Sequence, residues 1–196
     1  MLGSAERLQL KPSPSSPTIL RSRHSCYRKV LAMNSSTLTT DRLKELLHYD
    51  QDTGVFTWNV RRSGKTPAGS VAGSYDAYGY IQIRISPFRY KAHRLAWFYV
   101  NSEWPKFCID HINGVRDDNR IANLRDVTNQ INIQNKRSPT GSNLYLGCSF
   151  NKSKNKWQAK IKLNGKYIHL GWFGDPDDAS AAYISAKREL HAGCTI

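Results

Sequence analysis

The chain has 196 residues, with 29 Lys and Arg against 15 Asp and Glu, and a formal net charge of +14 at neutral pH. Charge of that sign and size favours a polyanionic partner, nucleic acid ahead of an anionic membrane surface. No apolar run approaches the roughly 20 residues that span a bilayer, so a membrane role finds no support, and the length admits one large domain or two small ones.

Four cysteines, Cys26, Cys108, Cys148 and Cys194, lie far apart with no Cys-x-x-Cys pair. Neither a zinc ribbon nor a disulfide framework fits that spacing, and the thiols read as reduced and mostly buried. Residues 1–36 are expected to be a disordered basic extension. Lys11-Pro12-Ser13-Pro14-Ser15-Ser16-Pro17 sustains neither helix nor sheet, and Arg21, Arg23, Arg28 and Lys29 follow. Rich in Ser and Arg and poor in acids, this segment is similar to an organelle transit peptide. The alternative is an upstream extension of the reading frame, with Met33 as the start.

Order begins at Thr39, which caps a short helix through Leu47. Asp52-Thr53-Gly54 is a turn and Val55 to Trp58 a strand. Gly64 to Gly73 reads as a loop. Gly79 to Ile85 alternates at period two, Ser86-Pro87 breaks it, and Arg89-Tyr90-Lys91 returns as its hairpin partner. Ala92 to Val100 has the spacing of a buried helix. His93 lies on it and reads as a hydrogen-bonded core residue rather than a catalyst. Phe107-Cys108-Ile109 forms a short strand that delivers Asp110 and His111 at its end. Ile112 to Arg120 is a polar loop, Asn123 to Val127 a second strand, and Thr128 caps a helix carrying Asn132.

Phosphodiester hydrolysis needs a deprotonated water, neutralised phosphorane charge and a stabilised leaving oxygen. Histidine suits the first task near neutral pH. A hard divalent cation such as Mg²⁺ or Mn²⁺ suits the other two, and Mg²⁺ prefers oxygen ligands and keeps several waters. Asp110 offers a charged oxygen and Asn132 a neutral one. Asp110-His111-Ile112-Asn113-Gly114, with Asn119, Asn123-Leu124-Arg125 and Asn132 at their spacings, resembles the HNH motif of phage and intron homing endonucleases. That resemblance implies a ββα-metal (His-Me finger) nuclease domain over 37–136. It implies Asp110 and Asn132 as metal ligands, His111 as the group that activates water, and Asn123 as the residue that orders the loop. Asn113 stands where the family often has Asp, so it is not expected to be a ligand. Arg94, Arg120 and Arg125 could reach phosphates or serve structure.

Residues 137–142 read as a linker, with Ser138-Pro139-Thr140-Gly141-Ser142 at its centre. Beyond it, Tyr145 to Ser149 begins a strand. Trp157 to Leu163 alternates strictly, Asn164-Gly165 is a two-residue hairpin signal, and Lys166 to Phe173 is the third strand. Asp175-Pro176 opens a helix with the stripe Ala179, Ala182, Tyr183, Ala186 and Leu190, and Gly193 is expected to end it. Alternation puts Trp157, Ala159, Ile161 and Leu163 on one face, against the helix, and Gln158, Lys160 and Lys162 on an open basic face.

Three strands and one helix, with Gly147, Trp157, Leu170-Gly171 and Ala179 to Tyr183 so placed, resemble the AP2/ERF DNA-binding domain over 143–196. The resemblance implies that Lys160, Lys162, Tyr167 and His169 face the major groove of double-stranded DNA, while Lys152, Lys154 and Lys156 contact phosphates. Lys stands here where plant members carry Arg, which implies looser base reading and more salt-sensitive affinity.

The expected protein is therefore α+β: a metal-dependent DNA endonuclease followed by a three-stranded antiparallel sheet with a helix, each half folding alone, in the cytoplasm of a bacterial host or phage-infected cell. The alternative is a non-catalytic, sequence-specific DNA-binding regulator with a degenerate nuclease domain.

Overall fold

The computed structural model describes residues 38–139 and 144–196. The basic extension 1–36, Met33, and residues 140–142 of the expected linker lie outside them.

Helix α1 (Thr40–Leu46) is capped by the Thr39 side chain, which accepts from the Arg42 amide. It ends one residue before the expected boundary, because Leu47–Tyr49 straightens into β1 and pairs antiparallel with β2 (Phe56–Trp58). Leu47, Tyr49, Phe56 and Trp58 are all buried, so packing rather than helix periodicity decides this segment. Directly after the expected loop, Gly64 to Gly73, comes a further short strand, β3 (Ser74–Tyr75). It joins β4 (Ile81–Ile85) and β5 (Phe88–Lys91) in an antiparallel sheet. Helix α2 (Ala92–Asn101) buries Ala92, His93, Leu95, Ala96 and Phe98, and Ser102 closes it in the left-handed region.

Strand β6 (Cys108–His111) pairs with β7 (Leu124–Val127), so that Asp110 faces Arg125 and His111 faces Leu124. A single 3₁₀ turn, Ile121–Asn123, leads into β7. Helix α3 (Asn129–Gln134) follows, with the Thr128 side chain accepting from the Ile131 amide. One hydrophobic cluster, including Leu43, Leu47, Ile83, Leu95, Ile109 and Leu124, joins α1, β1, β2, β4, β5, α2, β6 and β7.

A separate cluster of Cys148, Ala159 and Ala179, with Tyr145, Trp157, Leu170 and Phe173 packed against it, organises the rest. Its sheet runs β10-β9-β8, from β8 (Cys148–Asn151), β9 (Lys156–Leu163) and β10 (Lys166–Phe173). Strand β8 starts later than the alternation suggests. The register shifts between His169 and Gly171. This bulge at Leu170 turns Phe173 towards the core opposite Trp157 and Trp172 towards the open face opposite Gln158. Helix α4 (Pro176–Leu190) is capped by Asp175 with Pro at its start.

Gly193 does not end α4. The helix stops at Leu190, and Gly193 lies buried against α3, where a Cβ would meet the Ile131 carbonyl oxygen at 2.4 Å. No described helix is long and apolar enough to cross a membrane.

Candidate active site

Asp110 and His111 both belong to β6, and both are buried. His111 closes the strand and is closely packed there: it is 5 % exposed, and its ring lies 5.1 Å from that of His93 and 5.9 Å from that of Tyr80. His111 Nε2 is 3.3 Å from Asn119 Oδ1. With Nε2–H donating to that oxygen, Nδ1 is the basic nitrogen. Burial pulls the His111 pKa below the ordinary histidine value, against the Asn119 hydrogen bond and Asp110, Asp118 and Asp117, which act the other way. His93 is pushed down further by burial and the neighbouring His111, to about 3, so it stays neutral. His93 Nδ1 and Asn119 Nδ2 are buried with no hydrogen-bond partner among the described residues. Two unsatisfied polar atoms beside one imidazole mark a place where a polar ligand gains free energy.

The loop from Ile112 to Arg120 is fastened along its length. Asn123 Oδ1 accepts from the Asn113 amide at 2.9 Å, and its Nδ2 donates to the Asp118 carbonyl at 2.8 Å. Arg120 donates to both oxygens of Asp118, at 2.8 and 2.6 Å, and holds that carboxyl at about 2, well below the usual carboxylate range. From the other side, the Tyr49 hydroxyl donates to the Asn119 carbonyl at 2.6 Å. Burial pushes that phenol well above its ordinary value.

Around Asp110 the network includes an amide that the sequence did not single out. Arg125, its cross-strand neighbour, donates through Nε and Nη2 to Oδ2 at 2.9 and 2.8 Å. The amide that meets the carboxylate is Asn135, whose Nδ2 lies 3.2 and 3.1 Å from the two oxygens and 2.9 Å from the His111 carbonyl. Asn132, half-buried on α3, makes no side-chain hydrogen bond among the described residues. Asn135 was within reach of the sequence, three residues on from Asn132, but nothing in the pattern separates the two. Arg120 and Arg125, named above as possible phosphate contacts, are engaged with Asp118 and Asp110.

Asp110 and Asn132 carry oxygen donors of the kind a hard divalent cation takes. Asp110 carries its arginine on Oδ2 and leaves Oδ1 with Asn135 alone, while Asn132 keeps its amide oxygen uncommitted. Among the described residues no group of three His, Cys, Asp or Glu side chains could hold a metal. The protein would therefore contribute one carboxylate and amide oxygen, with water and phosphate completing the shell.

The basic face of the second sheet is open, as the alternation requires. Lys152, Lys154, Lys156, Lys160, Lys162, Tyr167 and His169 are all exposed. Register pairs Lys162 with Tyr167 and Lys160 with His169. Both ammonium groups lie over the Tyr167 ring, at 5.1 Å for Lys160 and 5.5 Å for Lys162, and Lys154 lies 4.2 Å from the Trp172 ring. Trp172 thus belongs to this face, placed there by the bulge at Leu170.

Residues 90–134, from β5 to the end of α3, match a family model described as HNH endonuclease. A comparison with curated proteins finds no match. The family match supports an HNH nuclease, a hydrolase with DNA as its substrate, of a kind that generally uses a divalent metal.

Proposed function

We propose that the chain is a metal-dependent HNH endonuclease of homing type that cuts double-stranded DNA. In this reading β6, β7 and α3 form the ββα-metal unit, and residues 143–196 are an AP2/ERF-like module that reads the site. The observation that carries it is the pairing on β6 of a buried carboxylate with a buried, neutral imidazole, each held by its own amide, within the matched segment.

His111 accepts a proton from the attacking water at Nδ1 while Asn119 holds Nε2–H, and so keeps one tautomer and ring orientation. Asp110 and Asn132 would hold Mg²⁺ or Mn²⁺, which when bound supplies charge neutralisation at the phosphate and the leaving 3′ oxygen. Arg125 fixes the Asp110 carboxylate so that Oδ1 is presented. Asn123 keeps the loop closed behind His111. On the second sheet, Lys160, Lys162, Tyr167, His169 and Trp172 would meet the groove, with Lys152, Lys154 and Lys156 on phosphates.

Supercoiled plasmid incubated with the full chain should be nicked or linearised with Mg²⁺ and remain intact with chelator. His111→Ala should cut at least about 100-fold more slowly, the scale of a lost general base, while binding DNA as the wild type does. A wild-type chain that binds DNA and leaves it whole under Mg²⁺ and Mn²⁺ would make the protein the non-catalytic regulator instead.

A further inference from the structure

We infer that the segment after α4, residues 191–196, is a strap that completes the cutting centre, with Thr195 and Arg137 as positioning residues for Asn135. This rests on the nuclease reading above.

The contacts run without a gap from the basic sheet to Asp110. His191 is buried and its Nε2 lies 2.9 Å from the Lys162 carbonyl, on the strand that carries the open basic face. Lys187, 1 % exposed on α4, donates to the Lys136 carbonyl just after α3. Gly193 donates its amide to Gln134 Oε1 at 3.1 Å and accepts at its carbonyl from Arg125 Nη2 at 2.9 Å. Arg125 is the residue that holds Asp110 Oδ2.

Thr195 closes the circuit. Its hydroxyl contacts Asn135 Oδ1 and lies 2.6 Å from the Ile112 carbonyl. Arg137 Nη2 donates to the Thr195 hydroxyl and carbonyl, both at 2.7 Å, and to the Ile112 carbonyl at 3.0 Å.

The chemistry assigns a direction to this circuit. Asn135 turns its Nδ2 towards the Asp110 carboxylate and the His111 carbonyl, both acceptors, and Thr195 is the hydroxyl against the opposite atom, Oδ1. Without that hydroxyl, the buried Oδ1 loses its contact and the Asn135 side chain is less firmly seated, although Asp110 and the His111 carbonyl still favour the same orientation. The Asp110 carboxylate then has a less firmly held donor to keep it in place beside His111. A displacement of this kind acts on the rate of the chemical step, since misplacing a reacting group by about 1 Å can cost about 100-fold. It leaves the exposed lysines of the reading face untouched. The strap also explains why α4 ends three residues short of Gly193: the chain must leave the helix to reach α3, and only a residue without a Cβ passes Ile131.

The test uses the full chain with Thr195→Val, Thr195→Ser and Arg137→Met. Single-turnover cleavage at saturating DNA should fall by about 10- to 100-fold in Thr195→Val and Arg137→Met, with DNA affinity kept within about twofold. Thr195→Ser, which keeps the hydroxyl, should cut like the wild type. Arg137 is exposed and its variant is expected to fold where Thr195→Val does not. By NMR, the Asn135 side-chain amide protons should exchange faster in Thr195→Val than in the wild type. Wild-type cleavage by both loss variants, a serine variant as slow as the valine one, or unchanged Asn135 exchange overturns the strap. The exchange comparison needs no cleavage, so it decides the strap even where the wild-type chain fails to cut and the nuclease reading falls.

Discussion

Burial of His111 has a kinetic consequence at the scale of one residue. A general base must be unprotonated in the free enzyme, so kcat/KM rises with pH through the pKa of that base. Burial lowers the His111 pKa, so the protonated, inactive form accumulates only at a more acid pH than for a free histidine. The acid limb of kcat/KM for cleavage should have its midpoint below about pH 6.5, the ordinary histidine value. A profile already half lost at about pH 6.5 would place the base in a solvated site and not on β6. His93 adds no limb of its own in this range, because its pKa is held at about 3.

The catalytic loop depends on an element remote in sequence, the turn between β1 and β2. Gly54 sits there at φ +74°, and a Cβ on it would meet the Arg120 amide nitrogen at 2.5 Å and the Asn119 carbonyl carbon at 2.6 Å. Both contacts are backbone, so no side-chain rotation relieves them. Gly54→Ala therefore meets left-handed strain of about 1–2 kcal/mol and also pushes on the residue that orients His111. Urea denaturation should show a loss of at least about 1 kcal/mol, accompanied by slower cleavage. Gly64→Ala, where nothing lies within 4 Å, is the control and should match the wild type. Equal stability of the two variants would mean the turn does not press on the loop.

At the scale of the whole molecule, the unit proposed to cut DNA and the unit proposed to read it are joined by more than their covalent connection. The expectation that each half folds alone meets the contacts of Lys187, Gly193 and Thr195 with residues 112–137. Deleting residues 143–196 would remove partners of both Arg125 and Asn135, so affinity and chemistry should fall together. The basic face can be tested without touching that junction. Lys160→Ala with Lys162→Ala should reduce the slope of log affinity against log salt by roughly 0.9 for each phosphate that is no longer neutralised, measured by DNA binding without divalent metal. A slope that survives both changes would move the DNA surface off this sheet.

Local chemistry made several features legible in the sequence alone. The hairpin at Asn164-Gly165, the strict alternation of β9 and the caps at Thr39, Thr128 and Asp175 depend on neighbours a few residues apart. So does the adjacency of Asp110 and His111. What only the tertiary structure decided are choices between near-equivalent residues. Asn132 on α3 and Asn135, which caps it, are three positions apart, close to one turn of about 3.6 residues, and lie on nearly the same side. Which amide meets Asp110 depends on how α3 packs against β6 and on what presses from behind it. The bulge at Leu170 likewise decides the face of Trp172, because one unpaired residue inverts every side chain beyond it. The role of Gly193 was beyond the sequence for the same physical reason: a missing Cβ permits both a helix end and a close approach, and only the neighbouring backbone of Ile131 distinguishes them.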